Sequence, residues 1–175
     1  MKKIFPTLIG SSPKPIKFFL LFALLFAPSL RAEECCRPGL LSLGVGTFDT
    51  LRPKERMLQF QADYKWSACW HGVQPIAGLM VTEQGSIYIC AGACYDIYLG
   101  KYLVLTPSFA PGVYFKNGGK DLGYPLEFRS SISLAGEFRN CHRLGLQFYH
   151  ISNASLGYKN PGEESLVLFY SIAIW

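Results

Sequence analysis

The residues best equipped for chemistry lie between Phe148 and Ser165, where the chain reads Phe-Tyr-His-Ile-Ser-Asn-Ala-Ser-Leu-Gly-Tyr-Lys-Asn-Pro-Gly-Glu-Glu-Ser. His150 and Ser152 are two positions apart. On a strand, residues at that spacing project from the same face with Cα atoms about 6.5–7 Å apart, so a hydroxyl and an imidazole can meet through suitable rotamers. Glu164 follows Ser152 by twelve positions, beyond a turn centred on Asn160-Pro161-Gly162. Serine, imidazole and carboxylate together make an acyl-transfer set. The imidazole removes the serine proton, the alkoxide attacks an acyl carbonyl, and the carboxylate fixes the imidazole tautomer. An oxyanion needs donors, and the nearest are the backbone N–H groups and side chain of Asn153, with Asn160 second. A His-x-Ser pair at a strand end is common in proteins that do no chemistry, so the case turns on the face the pair occupies.

The elements that must carry these residues alternate with period two. Leu58, Phe60, Ala62, Tyr64 and Trp66 oppose Gln59, Gln61, Asp63 and Lys65; Leu126, Phe128, Ile132, Leu134 and Phe138 oppose Glu127, Arg129, Ser131, Ser133 and Glu137. Such alternation predicts half-greasy strands. Eight segments show it: 40–48, 57–66, 73–82, 86–99, 102–115, 126–139, 143–152 and 165–175. Turn chemistry separates them at Arg52-Pro53-Lys54, Glu83-Gln84-Gly85, Asn117-Gly118-Gly119 and Asn160-Pro161-Gly162. Several segments reach nine or more residues, the length of a tilted membrane-spanning strand. The last ends on Trp175, an aromatic terminus like that of outer-membrane barrels. The expected fold is all-β, an eight-stranded antiparallel transmembrane barrel; a soluble barrel with its greasy face inward is the alternative. In the membrane version Leu144, Leu146, Phe148, His150 and Ser152 all face lipid, and Glu164 shares the parity of Leu166, Leu168 and Tyr170 on the next strand. Glu163, its neighbour, fits that parity less well. Asp63, Asp96, Glu127, Arg129, Glu137 and Arg139 are expected to point into the lumen.

Composition agrees. Half of the 175 residues are apolar, 15% are aromatic and 17% are charged, whereas a soluble domain carries about 25% charged residues. The net charge of +5 comes from Lys2, Lys3, Lys14, Lys17 and Arg31. The remainder has no basic stripe to neutralise phosphates, so no nucleic-acid partner is expected. Residues 1–32 read as a cleaved secretory signal peptide, with a basic start, the apolar run Phe18 to Ala27 and a cleavage region ending at Ala32; residues 33–175 form the single domain. Six cysteines follow the signal, at 35, 36, 69, 90, 94 and 141, a number compatible with disulfides in an exported chain. Cys90 and Cys94, four apart on one strand, are too distant to bond to each other. Cys69, His71, Cys141 and His142 match no standard zinc spacing, and neither metal nor cofactor is expected.

His-x-Ser-Asn-Ala, the later Asn-x-Gly and a Glu twelve residues after the Ser together resemble the signature of the PagL-type lipid A 3-O-deacylase family of outer-membrane enzymes. The resemblance is close over about 25 residues at the C-terminal end; elsewhere it extends to length, signal peptide and Gly-rich strands. It implies an eight-stranded barrel in the bacterial outer membrane with its active site facing the bilayer. It further implies His150 as base, Ser152 as nucleophile, Glu164 as orienting acid, and Asn153 and Asn160 as residues that shape the site. The substrate implied is lipid A, the anchor of lipopolysaccharide. Ser155 stands where the resemblance leads one to expect glycine. A homodimer is left open. Two other readings use the same barrel: a non-enzymatic adhesin, structural or lipid-binding protein, and a phospholipase-like esterase.

Overall fold

A computed structural model describes residues 37–175; the expected signal peptide (1–32), Cys35 and Cys36 lie outside the described residues. The strands are β1 (Gly39–Phe48), β2 (Met57–Lys65), β3 (Val73–Thr82), β4 (Ile87–Tyr95), β5 (Ile97–Leu99), β6 (Leu103–Phe115), β7 (Leu126–Glu137), β8 (Arg143–Ser152) and β9 (Glu163–Ile174). All pairings are antiparallel. β1 lies between β2 and β9, and both β4 and β5 pair with β6, so the sheet closes on itself. β4 and β5 are one stave interrupted at Asp96, and the result is an eight-stranded barrel. Closure removes the free edges that would otherwise expose unpaired backbone groups to lipid.

The period-two pattern sets the two faces. Met57, Gln59 and Gln61 on β2 are buried, while Leu58 and Phe60 are exposed; on β7 Glu127 and Arg129 are buried, while Leu126 and Ile132 are exposed. The greasy side is thus the outer wall. Leu43, Val45, Leu79, Ile89, Phe109, Leu146 and Leu168 all stand exposed on it, as a wall solvated by acyl chains requires. Trp66, Trp70, Tyr102 and Trp175 are exposed at one rim, where amphipathic rings suit the membrane–water boundary.

The lumen is polar and paired in part, with both Glu127 carboxylate oxygens lacking a hydrogen-bond partner. Arg129 Nη1 meets Asp63 Oδ1 at 3.2 Å, and Gln61 donates to Gln147 Oε1 at 2.6 Å. Asp96 leaves the strand pattern because its carboxylate is held on three sides. Lys65 Nζ approaches at 2.5 Å and Arg143 Nη2 at 2.8 Å, while Thr106 donates to Oδ1 at 2.7 Å. Arg139 departs from the expectation that it fills the lumen. β7 ends at Glu137, and Arg139 sits exposed in the turn before β8. Glu137 takes the inward place instead and accepts from Arg143 Nε at 2.9 Å. Cys90, Cys94 and Cys141 are free thiols, whereas Cys69 is disulfide-bonded and so offers no thiolate to a metal.

Loops 49–56, 83–86, 116–125 and 153–162 gather at one end of the barrel. The turns 66–72, 100–102 and 138–142, together with the starts of β1 and the end of β9, lie at the other. Outer-membrane barrels keep short turns on the periplasmic side and longer loops outside, which places loops 49–56, 116–125 and 153–162 at the outward end.

Candidate active site

The outward ends of β8 and β9 build the site. In their register His150 is the direct Cα partner of Glu164, and Ile151 is the partner of Glu163. Antiparallel partners project from the same face, so the imidazole and the Glu164 carboxylate emerge side by side on the outer wall. His150 Nδ1 lies 3.0 Å from Glu164 Oε1. The His150 side chain is 42% exposed and that of Glu164 17%. Ser152 is on the same outer face, one pleat further along β8, and is half-buried. No hydrogen bond joins Ser152 to His150 among the described residues. The register also resolves the two adjacent glutamates. Glu163 points inward, fully buried, where its Oε2 accepts from Ser165 Oγ at 2.7 Å and from the Asp49 N–H at 3.3 Å.

Gly162 closes the site against the imidazole. A Cβ at this position would stand 2.8 Å from His150 Cε1 and 3.5 Å from Nε2, and its φ is +59°. The missing side chain leaves the Nε2 edge of the ring open, and the backbone conformation favours glycine in its own right.

The two asparagines act on the loop that follows Ser152. Asn153 is buried with its side chain turned inward, where Nδ2 donates to the Leu122 and Lys159 carbonyls, each at 2.8 Å. Its backbone N–H donates to Asn160 Oδ1 at 3.2 Å. The next two residues form a turn closed by the Leu156 N–H on the Asn153 carbonyl at 2.9 Å. Ala154 and Ser155 both have positive φ, 51° and 64°, a conformation that is uncommon outside glycine. The glycine expected at 155 has a clear reason here, since serine occupies a left-handed position. Successive backbone N–H groups in such a turn can form a concave cradle for an anion.

Loop 49–56 supplies a neighbour that the sequence alone does not single out. The Thr50 N–H donates to the Glu164 carbonyl at 2.6 Å. Arg52 Nη1 lies 3.2 Å from Glu164 Oε2 and 2.5 Å from Asp49 Oδ1. Arg52 Nη2 donates to the Pro161 carbonyl at 3.1 Å. The hydrogen bond to Asp49 is the main cause holding the Arg52 pKa above its ordinary value. Lys120, from loop 116–125, pairs with Asp49 and donates to the Gly162 carbonyl at 2.9 Å. In the sequence Arg52-Pro53-Lys54 reads only as turn chemistry. The signal that could have exposed Arg52 is closure itself, because pairing the first strand with the last brings loop 49–56 beside loop 153–162.

A family model described as "Lipid A 3-O-deacylase (PagL)" matches residues 58–173. The lipid A deacylase PagL of Pseudomonas aeruginosa is 40% identical over 57 residues, which is 33% of this chain and 33% of that protein, so the match spans a third of the relative's length. The crystal structure of the outer membrane enzyme PagL superposes with a TM-score of 0.63 at 22% identity, covering 77% of this chain and 99% of that one. A de novo designed transmembrane β-barrel reaches a TM-score of 0.52 at 9% identity over 77% of this chain and 95% of its own; these two likenesses concern the fold. With the model matching well over half of the sequence, including β8, β9 and the loop between them, the chain belongs to the PagL family of lipid A 3-O-deacylases.

Proposed function

We propose that this protein is an outer-membrane ester hydrolase that removes the 3-O-linked acyl chain of lipid A, with Ser152 as nucleophile, His150 as general base and Glu164 as orienting acid. The observation that carries the reading is the His150–Glu164 contact on the lipid-facing wall at a barrel rim, with Ser152 beside it. A passive barrel gains nothing from this set. Ionisable groups on the outer wall cost about 2–4 kcal/mol at the bilayer midplane and about 0–1 near the interface, so the rim is where they are tolerable. Ester bonds of a lipid lie at that depth.

Glu164 accepts a hydrogen bond from the His150 Nδ1–H and leaves Nε2 as the base. Nε2 takes the Ser152 proton as Oγ attacks the acyl carbonyl carbon. The tetrahedral oxyanion is received by the backbone N–H groups of the Ala154–Ser155 turn, which Asn153 and Asn160 hold in place. Collapse breaks the bond to the sugar oxygen, which leaves with the proton from His150 as a free hydroxyl. A water, deprotonated by His150, then attacks the acyl-serine; the fatty acid departs and Ser152 regains its proton. The reaction needs neither metal nor cofactor. The expected signal peptide at residues 1–32 would deliver the chain to export, and a homodimer would be tested by cross-linking in the membrane.

The test is mass spectrometry of lipid A from a host of defined lipopolysaccharide expressing the wild type or Ser152→Ala. Loss of one 3-O acyl chain with the wild type alone is the expected result. Unchanged lipid A in both, with the barrel folded in the outer membrane, would redirect the reading to a phospholipid ester or to a passive barrel. Equal loss in both would remove Ser152 from its role.

A further inference from the structure

Among the described residues, the hydrogen bonds and ion pairs that reach Glu164 from outside its own hairpin come from loop 49–56. The loop makes two: the Thr50 N–H on the Glu164 carbonyl at 2.6 Å, and the Arg52 guanidinium 3.2 Å from Oε2. The Oε2 oxygen is buried and makes no hydrogen bond, so Arg52 meets it as an ion pair, while Oε1 faces His150. Arg52 is itself fixed. Nη1 is bound by Asp49 Oδ1 at 2.5 Å, and Nη2 donates to the Pro161 carbonyl at 3.1 Å. Asp49 is fully buried and shared with Lys120, whose ammonium also grips the Gly162 carbonyl. A guanidinium bound at Asp49, Gly162 and Pro161 is held in one place, so its single contact presents positive charge to Oε2 from a fixed direction. The arrangement therefore has three layers: Asp49 and Lys120 set Arg52, Arg52 sets Glu164, and Glu164 sets the imidazole.

We infer that Arg52 is a positioning residue for catalysis, which clamps the Glu164 carboxylate from the far side and ties loop 49–56 to the hairpin that bears the active site. The inference rests on the reading of His150, Ser152 and Glu164 as the triad. Arg52 touches neither the nucleophile nor the acyl carbonyl, so its contribution passes through Glu164. It belongs in kcat and not in substrate binding, and it vanishes when Glu164 can no longer be oriented as a carboxylate.

A double-mutant cycle separates this from a structural role. Deacylation is measured on purified lipid A in mixed micelles with the full-length protein. The variants are Arg52→Met, Glu164→Gln, the pair combined, and Ser152→Ala, each shown to be folded by its heat-dependent shift in electrophoretic mobility. Arg52→Met is expected to lower kcat by about 10- to 100-fold, the usual cost of losing an orienting partner, with KM unchanged. Added to Glu164→Gln, it should lower kcat no further. Arg52→Lys, which keeps the charge and loses the fork, should recover only part of the rate. An equal loss in both backgrounds, or a loss confined to KM, would overturn the inference, as would full activity in folded Arg52→Met. Activity surviving in Ser152→Ala would instead sink the triad reading, so the two failures are distinct.

Discussion

Gly162 carries more of the site's geometry than its lack of a side chain suggests. Its φ of +59° and the 2.8 Å approach of a hypothetical Cβ to His150 Cε1 put two separate demands on one position. Gly162→Ala should therefore keep the barrel, because the residue lies just before β9, and yet displace the ring from Ser152. A misplacement of about 1 Å can cost about 100-fold in rate, so kcat for lipid A deacylation is expected to fall by roughly that factor while the folded mobility on gels is retained. Wild-type kcat in a folded Gly162→Ala would show that the ring does not depend on this contact. At this scale the sequence was informative where parity could speak. His150, Ser152 and Glu164 share an outer face because their positions have the parity of Leu146, Phe148 and Leu166, and Glu163 turns inward by the same rule. Asn153 follows the rule as well, being one position past Ser152; its inward ties to Leu122 and Lys159 depend on loops whose approach no local pattern encodes.

The elements that deliver these residues are the outward loops, and a cross-loop contact pins two of them. Tyr158 donates to Asp121 Oδ2, and Lys159 Nζ lies 3.0 Å from the same oxygen. The hydrogen bond from Tyr158, followed by that from Lys159, holds the Asp121 carboxyl below the usual carboxylate range. A group whose folded pKa is depressed contributes its stabilisation above the unfolded value and loses it as pH falls through the folded value. The pin should thus be intact at neutral pH and release only below the usual carboxylate range. The Gly123 N–H, which donates to Asp121 Oδ1 at 2.9 Å, is a direct reporter. Its NMR shift in micelles is expected to titrate with a midpoint below about 3.9, the ordinary aspartate value; a midpoint at or above that value would show that the pin is not formed in solution. Strand boundaries read from alternation fall within two residues of the observed ones. The break at Asp96 was not legible, because alternation continues through it; the cause lies in Lys65, Arg143 and Thr106 on other strands. β9 also begins at Glu163 instead of 165, since pairing with β8 extends order into what reads as turn.

For the molecule as a whole, closure determines both stability and reach. The Lys65–Asp96–Arg143–Glu137 network joins β2, β7, β8 and the β4–β5 junction across the lumen. Removing one member of a buried ion pair leaves an uncompensated charge and costs about 3–5 kcal/mol. Asp96→Ala strands Lys65 and leaves Arg143 with Glu137 alone, and should lower the unfolding free energy in urea by that order, with lipid A deacylation at low denaturant little changed because the network lies towards the opposite end from His150. A loss under about 1 kcal/mol would mean that solvent already screens the network. Closure is also what puts loop 49–56 beside Glu164, and the eightfold count that implies it was readable from the sequence even though the contact was not.

The outer-wall placement of His150 and Ser152 also fixes what counts as concentration. A substrate that reaches the site by lateral diffusion within its leaflet is met per unit area, so the rate follows its mole fraction among neighbouring lipids and not its amount per volume of suspension. Diluting the membrane with buffer leaves the turnover of each molecule unchanged; diluting the leaflet with inert lipid lowers it. At the site proposed on this wall, the freed acyl chain would start its life already dissolved in the bilayer, with no water-filled exit needed.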